Sequence, residues 1–284
     1  MSFISRGYRR LGDSILTDDD LRSVAPSIFA TDNHASRSAR YAYIPTGEIV
    51  DGMRANGFLP VFAKQGRSRV EGKEAFTKHL VRFRHQGEDA VTGKIGGIYP
   101  EVIVVNSHDG TSAYKVMAGL MRLVCLNGLM VSDKELASVT VPHKGDVMFQ
   151  VIEGSFTVLS ESRRAVEVAD AWQGITLSQG EQMVMAEAAH LIRFGDSESE
   201  THTTIEPAQM LQTRRMADSG ADLWRVANRI QENAIRGGLT AMGRDADGQP
   251  RRTTTREVKN IDADVKINRA LWLLTERMAE LKAA

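Results

Sequence analysis

The run Phe76-Thr77-Lys78-His79-Leu80-Val81-Arg82-Phe83-Arg84-His85 carries the side chains best suited to meet an anion. Read as a strand, it places Lys78, Arg82 and Arg84 on one face and His79, Val81, Phe83 and His85 on the other, because successive side chains alternate. Cations at period two form a strip with rungs about 7 Å apart, close to the phosphate spacing of an extended nucleic-acid strand. Lys64, Arg67 and Arg69 on the neighbouring hairpin widen that strip into a groove, with Tyr41, Tyr43 or Tyr99 available to stack on bases. A solvated sheet face usually mixes charge signs, and this one does not.

A second chemistry is written in Asn106-Ser107-His108-Asp109-Gly110. An imidazole beside a carboxylate has the means to act as a general base, and His79, His108, Asp109 and His143 together could form a hydrolytic site or hold a metal. Against this, Asn, Ser, Asp and Gly are what a tight turn uses for its own backbone hydrogen bonds, and the spacings match no compact metal motif. The sequence therefore assigns no metal and no cofactor. Cys125 lies in an apolar stretch, where a thiol is usually inert.

From 211 to 256 there are nine basic residues, all arginine, against five acidic ones. The planar guanidinium grips two oxygens at once, so arginine alone suggests recognition of phosphate or carboxylate. Arg225, Arg229 and Arg236 fall near one helical face, where Asp218 and Asp222 offer local partners. No such partners are evident for Arg244 or for Arg251, Arg252 and Arg256.

These groups need elements to position them. Thr17-Asp18-Asp19-Asp20 starts a short helix that stops at Pro26, and Thr46 to Asn56-Gly57 reads as a capped helix with Ile49, Val50 and Met53 on one face. Strands are expected over 58–64, 76–85, 101–107 and 112–124, punctuated by Gln65-Gly66, His108-Asp109-Gly110 and Asn127-Gly128, with a glycine-rich loop over 93–97. Helices are expected over 147–171, 178–194, 207–236 and 263–282, with a polar linker from 195 to 204 and a loop from 237 to 256. The fold class is α+β: an antiparallel β-meander packed with helices in residues 1–195, then a mainly helical part in 196–284. Trp224 and Trp272 are its core anchors.

The 284 residues carry 36 Lys+Arg and 36 Asp+Glu, and the cancellation hides blocks. Residues 37–84 hold ten basic and four acidic side chains, 85–200 hold eight and 16, and 201–284 hold 14 and 11. A local basic block steers anionic partners even when the total vanishes. One cysteine excludes an internal disulfide and fits a reducing cytoplasm. No stretch approaches a membrane span, and the start, MSFISRGYRR, lacks the apolar core of a signal peptide.

Several strings resemble a plasmid- and prophage-borne bacterial family known as domain of unknown function 932. They are Ala25-Pro26-Ser27-Ile28-Phe29-Ala30, Ser38 to Thr46, Lys78 to Arg84, Asn106 to Ser112, Arg122 to Gly128, Asn228-Arg229-Ile230-Gln231-Glu232-Asn233 and Asn268-Arg269-Ala270-Leu271-Trp272. The resemblance implies a mobile-element origin and carries no catalytic residue. In layout, a helix ending in Asn56-Gly57-Phe58 and followed by a basic meander is similar to the core of the single-strand annealing recombinases, which implies rings and a basic groove for single-stranded DNA. The expectation is thus a single-stranded DNA-binding homo-oligomer without membrane attachment or chemistry of its own. A nuclease or other hydrolase at the histidines is the alternative, and a non-catalytic partner or inhibitor of a host protein is a third reading.

Overall fold

The computed structural model describes residues 7–8, 15–30, 45–68, 74–87, 98–109, 112–122, 127–130, 138–195, 205–244 and 249–284, with backbone only at 7–8, 122, 127–130 and 243–244. Arg69, Tyr41, Tyr43, Cys125 and the 93–97 loop lie outside them. The chain divides into two compact units, 1–166 and 167–284. The division falls inside a helix, whereas the polar stretch after residue 195 was the expected boundary.

In the first unit, β1 (Gly7–Tyr8), β2 (Phe58–Gln65), β3 (His79–His85), β4 (Ile98–Asn106), β5 (Tyr114–Arg122) and β6 (Asn127–Met130) follow one another across an antiparallel sheet, and β7 (Val139–Val141) pairs with β5 beside β6. The α+β meander is therefore present, with α1 (Asp18–Val24), α2 (Thr46–Ala55) and α3 (Val147–Ala171) as its helices. Thr17 and Asp20 close a reciprocal capping box at the start of α1. Gly57 ends α2 at φ 81°, a left-handed conformation open to glycine, and starts β2 within one residue. β4 is buried at all nine positions, so no solvent-facing side exists to reveal its period.

Two expected elements differ. Residues 74–76 form a 3₁₀ turn and the strand begins at His79, so Lys78 precedes it. Asn127-Gly128, expected as a turn, opens β6 instead.

The second unit holds α4 (Gln179–Phe194), α5 (Leu223–Arg236), α6 (Ile261–Ala283) and a two-stranded antiparallel ribbon, β8 (Thr240–Arg244) with β9 (Pro250–Thr254). The ribbon occupies the expected loop, since Gly237, Gly238 and Pro250 are breakers that also bound strands. The expected helix from 207 is replaced by 3₁₀ turns at 207–211 and 216–218, and α5 starts only at Leu223, capped by Asp222. The tryptophans form the centre: the Trp172 ring lies 4.6 Å from that of Trp272 and 6.3 Å from that of Trp224, all three buried. Trp272→Ala is expected to cost about 3–5 kcal/mol through the cavity it leaves, read as a lower urea midpoint.

Candidate functional site

Thr46 sits in the first turn of α2 without capping it, and its side chain is fully buried. Its hydroxyl oxygen lies 2.9 Å from His79 Nε2, 3.2 Å from His108 Nε2, 3.2 Å from the Tyr114 hydroxyl and 3.1 Å from Asn106 Nδ2. A hydroxyl offers one proton and two lone pairs, so these four neighbours saturate it. His79 Nδ1 lies 3.2 Å from the Thr77 carbonyl, which can only accept, and 2.9 Å from the Ser27 hydroxyl. Donation to Thr77 leaves Nε2 bare to accept the Thr46 proton. Asn106 then donates to Thr46, and His108 and Tyr114 share its remaining lone pair. Ser27 extends the network, its backbone N–H donating to Gln65 Oε1 at 2.9 Å.

The structure thus brings two of the expected histidines together, with ring centroids 5.2 Å apart. His143 stacks at 5.1 Å from the Tyr114 ring, and Asp109 is half-buried nearby enough for its charge to act on both histidines. Burial, then the charge of His108, pushes His79 down to about 3; burial, then His143, pushes His108 down to about 4. Both rings are neutral near neutral pH. Both are also fully buried, so His79 and His108 bind the fold together where a general base would need to face a substrate. No group of three or more His, Cys, Asp or Glu among the described residues is arranged to hold a metal.

The expected cationic strip takes another form. Register puts Lys64, Arg82 and Arg84 on one sheet face, since Lys64 pairs with Leu80 and Leu59 with Arg84. That face is not an open groove. Arg82 is 4% exposed and Glu101 1%; Arg82 Nε donates to Glu101 Oε2 at 2.6 Å, and Arg84 Nη2 to Oε1 at 3.1 Å. Arg84 also lies over the buried Tyr99 ring at 3.9 Å, so Tyr99 faces this guanidinium, not a base. Lys64 is buried, Lys78 half-buried and Arg67 exposed. Glu101 was missed, although a lone carboxylate in the apolar run Ile98 to Val105 signals a buried cation partner.

In the second unit most arginines are likewise committed. Arg215 bridges Asp218 and Glu232 at 2.6 Å each, Arg236 reaches Glu232 at 2.7 Å, and Arg225 reaches Asp222 at 2.7 Å. Arg229 donates to the carbonyls of Asp218 and Gly220, and Arg214 to Asn233 and the Gly237 carbonyl. Arg251, Arg252 and Arg256 differ: all are exposed, and their guanidiniums enter no ion pair with a described residue. Asp245 and Asp247, which fall between β8 and β9 in the chain, lie outside the described residues. On the ribbon, Met242 pairs with Arg252 and Gly243 with Arg251, so the two arginines point to opposite faces.

Two measurements check this site. Glu101→Gln removes the charge shared by two cations, and stability is expected to fall by about 3–5 kcal/mol in chemical unfolding; adding Arg82→Met and Arg84→Met recovers much of it. The histidines act through pH. Their folded values lie below the unfolded value of 6.5, so below that pH the unfolded chain binds protons that the folded chain refuses, and stability declines as pH falls. The loss at pH 5 is on the order of 2 kcal/mol per histidine, and His79→Gln makes the acid slope of the melting temperature shallower.

The chain is 47% identical over 266 residues to the UPF0380 protein YafZ of Escherichia coli (strain K12), covering 94% of this chain and 92% of that protein. It is 46% identical over 266 residues to the UPF0380 protein YfjQ of the same strain, with the same coverage. No solved structure matches it. The family model described as domain of unknown function (DUF932) matches residues 33–272, and the chain belongs to that family.

Proposed function

We propose that this chain is a single-stranded DNA-binding protein of a mobile element, acting in annealing or DNA maintenance, with the β8–β9 ribbon as its main phosphate contact. The observation that carries the reading is the contrast among the arginines of the second unit. Arg193, Arg214, Arg215, Arg225, Arg229 and Arg236 all donate to protein acceptors, whereas Arg251, Arg252 and Arg256 present bare guanidiniums to solvent among the described residues. β9 is exposed at all five positions, and its Thr253 and Thr254 add hydroxyl donors beside the cations.

A two-stranded ribbon exposed along a whole strand invites pairing with another sheet edge. Pro250 and the adjacent arginines oppose that, because proline withholds a ladder donor and like charges repel. The same features suit a polyanion. Of the cations expected to line the groove, Arg67 is exposed after β2. Both histidines being buried and turned on one threonine favours binding over hydrolysis as the function. The layout likeness to annealing proteins adds the expectation of a homo-oligomer.

A gel shift with a labelled single-stranded oligonucleotide at about 50 and 200 mM salt tests the proposal. The expected result is binding at low salt that weakens steeply at high salt. R251A/R252A/R256A lowers affinity and reduces the logarithmic salt slope by about 2, three phosphates at roughly 0.7 each. Absence of low-salt binding, or an unchanged slope in the triple variant, overturns it.

A further inference from the structure

A two-stranded ribbon is marginal in water unless something holds it, and the root of β8–β9 is held. The Gly238 N–H donates to the Thr255 carbonyl and the Thr255 N–H to the Leu239 carbonyl, both at 2.8 Å, and the Leu239 N–H donates to Thr255 Oγ1 at 3.0 Å. Leu239 is buried, Gln209 Nε2 donates to the Thr240 carbonyl at 2.9 Å, and Arg193 Nη2 donates to the Arg256 carbonyl at 3.0 Å. Beyond that root the pattern changes: every side chain described from Met242 to Thr254 is exposed. The ribbon is an anchored arm with two uncovered faces.

A strand with one covered face would bury one of two consecutive arginines, because successive side chains alternate. Arg251 and Arg252 are instead both exposed, on opposite faces, and neither enters an ion pair with a described residue. Residues 240–256 hold four arginines against two aspartates, Asp245 and Asp247. A partner lying flat against one face would serve one of the two cations and leave the other idle. A cleft with an anionic wall on each side serves both, and the major groove of a DNA duplex is such a cleft, walled by two phosphate backbones. Its dimensions fit: a strand pair with side chains on both faces occupies about 10 Å across them, and the groove is about 12 Å wide, whereas the minor groove is about 6 Å. Phosphates line the rim of the groove, so they meet an arm behind its tip, and Arg251 and Arg252 directly follow Pro250, the first residue of β9.

We infer that the β8–β9 ribbon is an arm that enters the major groove of duplex DNA, with Arg251 and Arg252 meeting the phosphates of opposite walls. This rests on the proposed function, in which the ribbon is a phosphate contact, and extends that contact from the single strand to the duplex that annealing produces.

The test uses the full chain in gel shifts with a labelled DNA duplex across a salt series. R251A and R252A each lower the logarithmic salt slope on the duplex by about 0.9, and together by about twice that, because each loses one phosphate of B-form DNA. A duplex with bulky substituents at pyrimidine C5, which project into the major groove, binds roughly ten-fold more weakly, and a minor-groove ligand on the unmodified duplex leaves affinity unchanged. An RNA duplex, whose major groove is deep and narrow, binds more weakly than DNA. Single-strand binding that depends on the ribbon arginines, without duplex binding, overturns the arm and leaves the proposed function standing. A duplex slope that changes in only one of R251A and R252A places the DNA on a single face and overturns the arm too, as does competition by the minor-groove ligand with tolerance of the C5 substituents. No binding of either oligonucleotide by the wild-type protein overturns the function itself.

Discussion

The hydroxyl of Thr46 is the point on which the first unit turns. Through one oxygen it ties the first turn of α2 to His79 on β3, Asn106 on β4, Tyr114 on β5 and His108 after β4, and through His79 it reaches Ser27 in the 3₁₀ turn that follows α1. These are buried polar groups whose bonds are costly to leave unmade, so the network favours one placement of the helix against the three strands. Apolar contacts of Ile49, Val50 and Met53 bring α2 to the sheet without choosing that arrangement. The bonds also set protonation: imidazoles held neutral in a dry interior cannot gain a proton without breaking the pattern.

Glu101 plays the matching part on the other sheet face. Two guanidiniums from one strand converge on it, and a buried pair of this kind adds little net stability while making any slip of β3 against β4 expensive. A one-residue slip would turn Arg82 and Arg84 to the opposite face and leave Glu101 alone. The polar interior of the first unit thus specifies register, leaving the hydrophobic residues to supply the driving force.

The second unit divides its arginines by the same logic. Those near α5 are consumed in satisfying carboxylates and the carbonyls of the irregular segment 205–222, where 3₁₀ turns leave backbone acceptors that a continuous helix would have used itself. Arg251, Arg252 and Arg256 are exposed and enter no ion pair with a described residue.

Much of the architecture was legible along the chain. Thr17 with Asp20, and Ser178 with Glu181, announce helix starts through reciprocal hydrogen bonds between near neighbours, and the apolar spacing of 147–171 marks its helix end to end. The meander was visible in alternating strands and in Asn56-Gly57. Hidden were the facts that depend on what lies across the fold. Lys78, Arg82 and Arg84 share a charge pattern, yet only the sheet brings Glu101 against the last two, 19 and 17 residues away. His79 and His108 looked like a possible active site, and tertiary packing placed both against Thr46, 33 and 62 residues distant, and shut out water. The ribbon was read as a loop because glycine and proline mark its ends, while pairing between two short polar strands is a long-range choice no local signal encodes. Local capping, periodicity and charge are properties of neighbouring residues and so belong to the sequence; which charges are spent and which stay free is decided only when distant strands and helices meet.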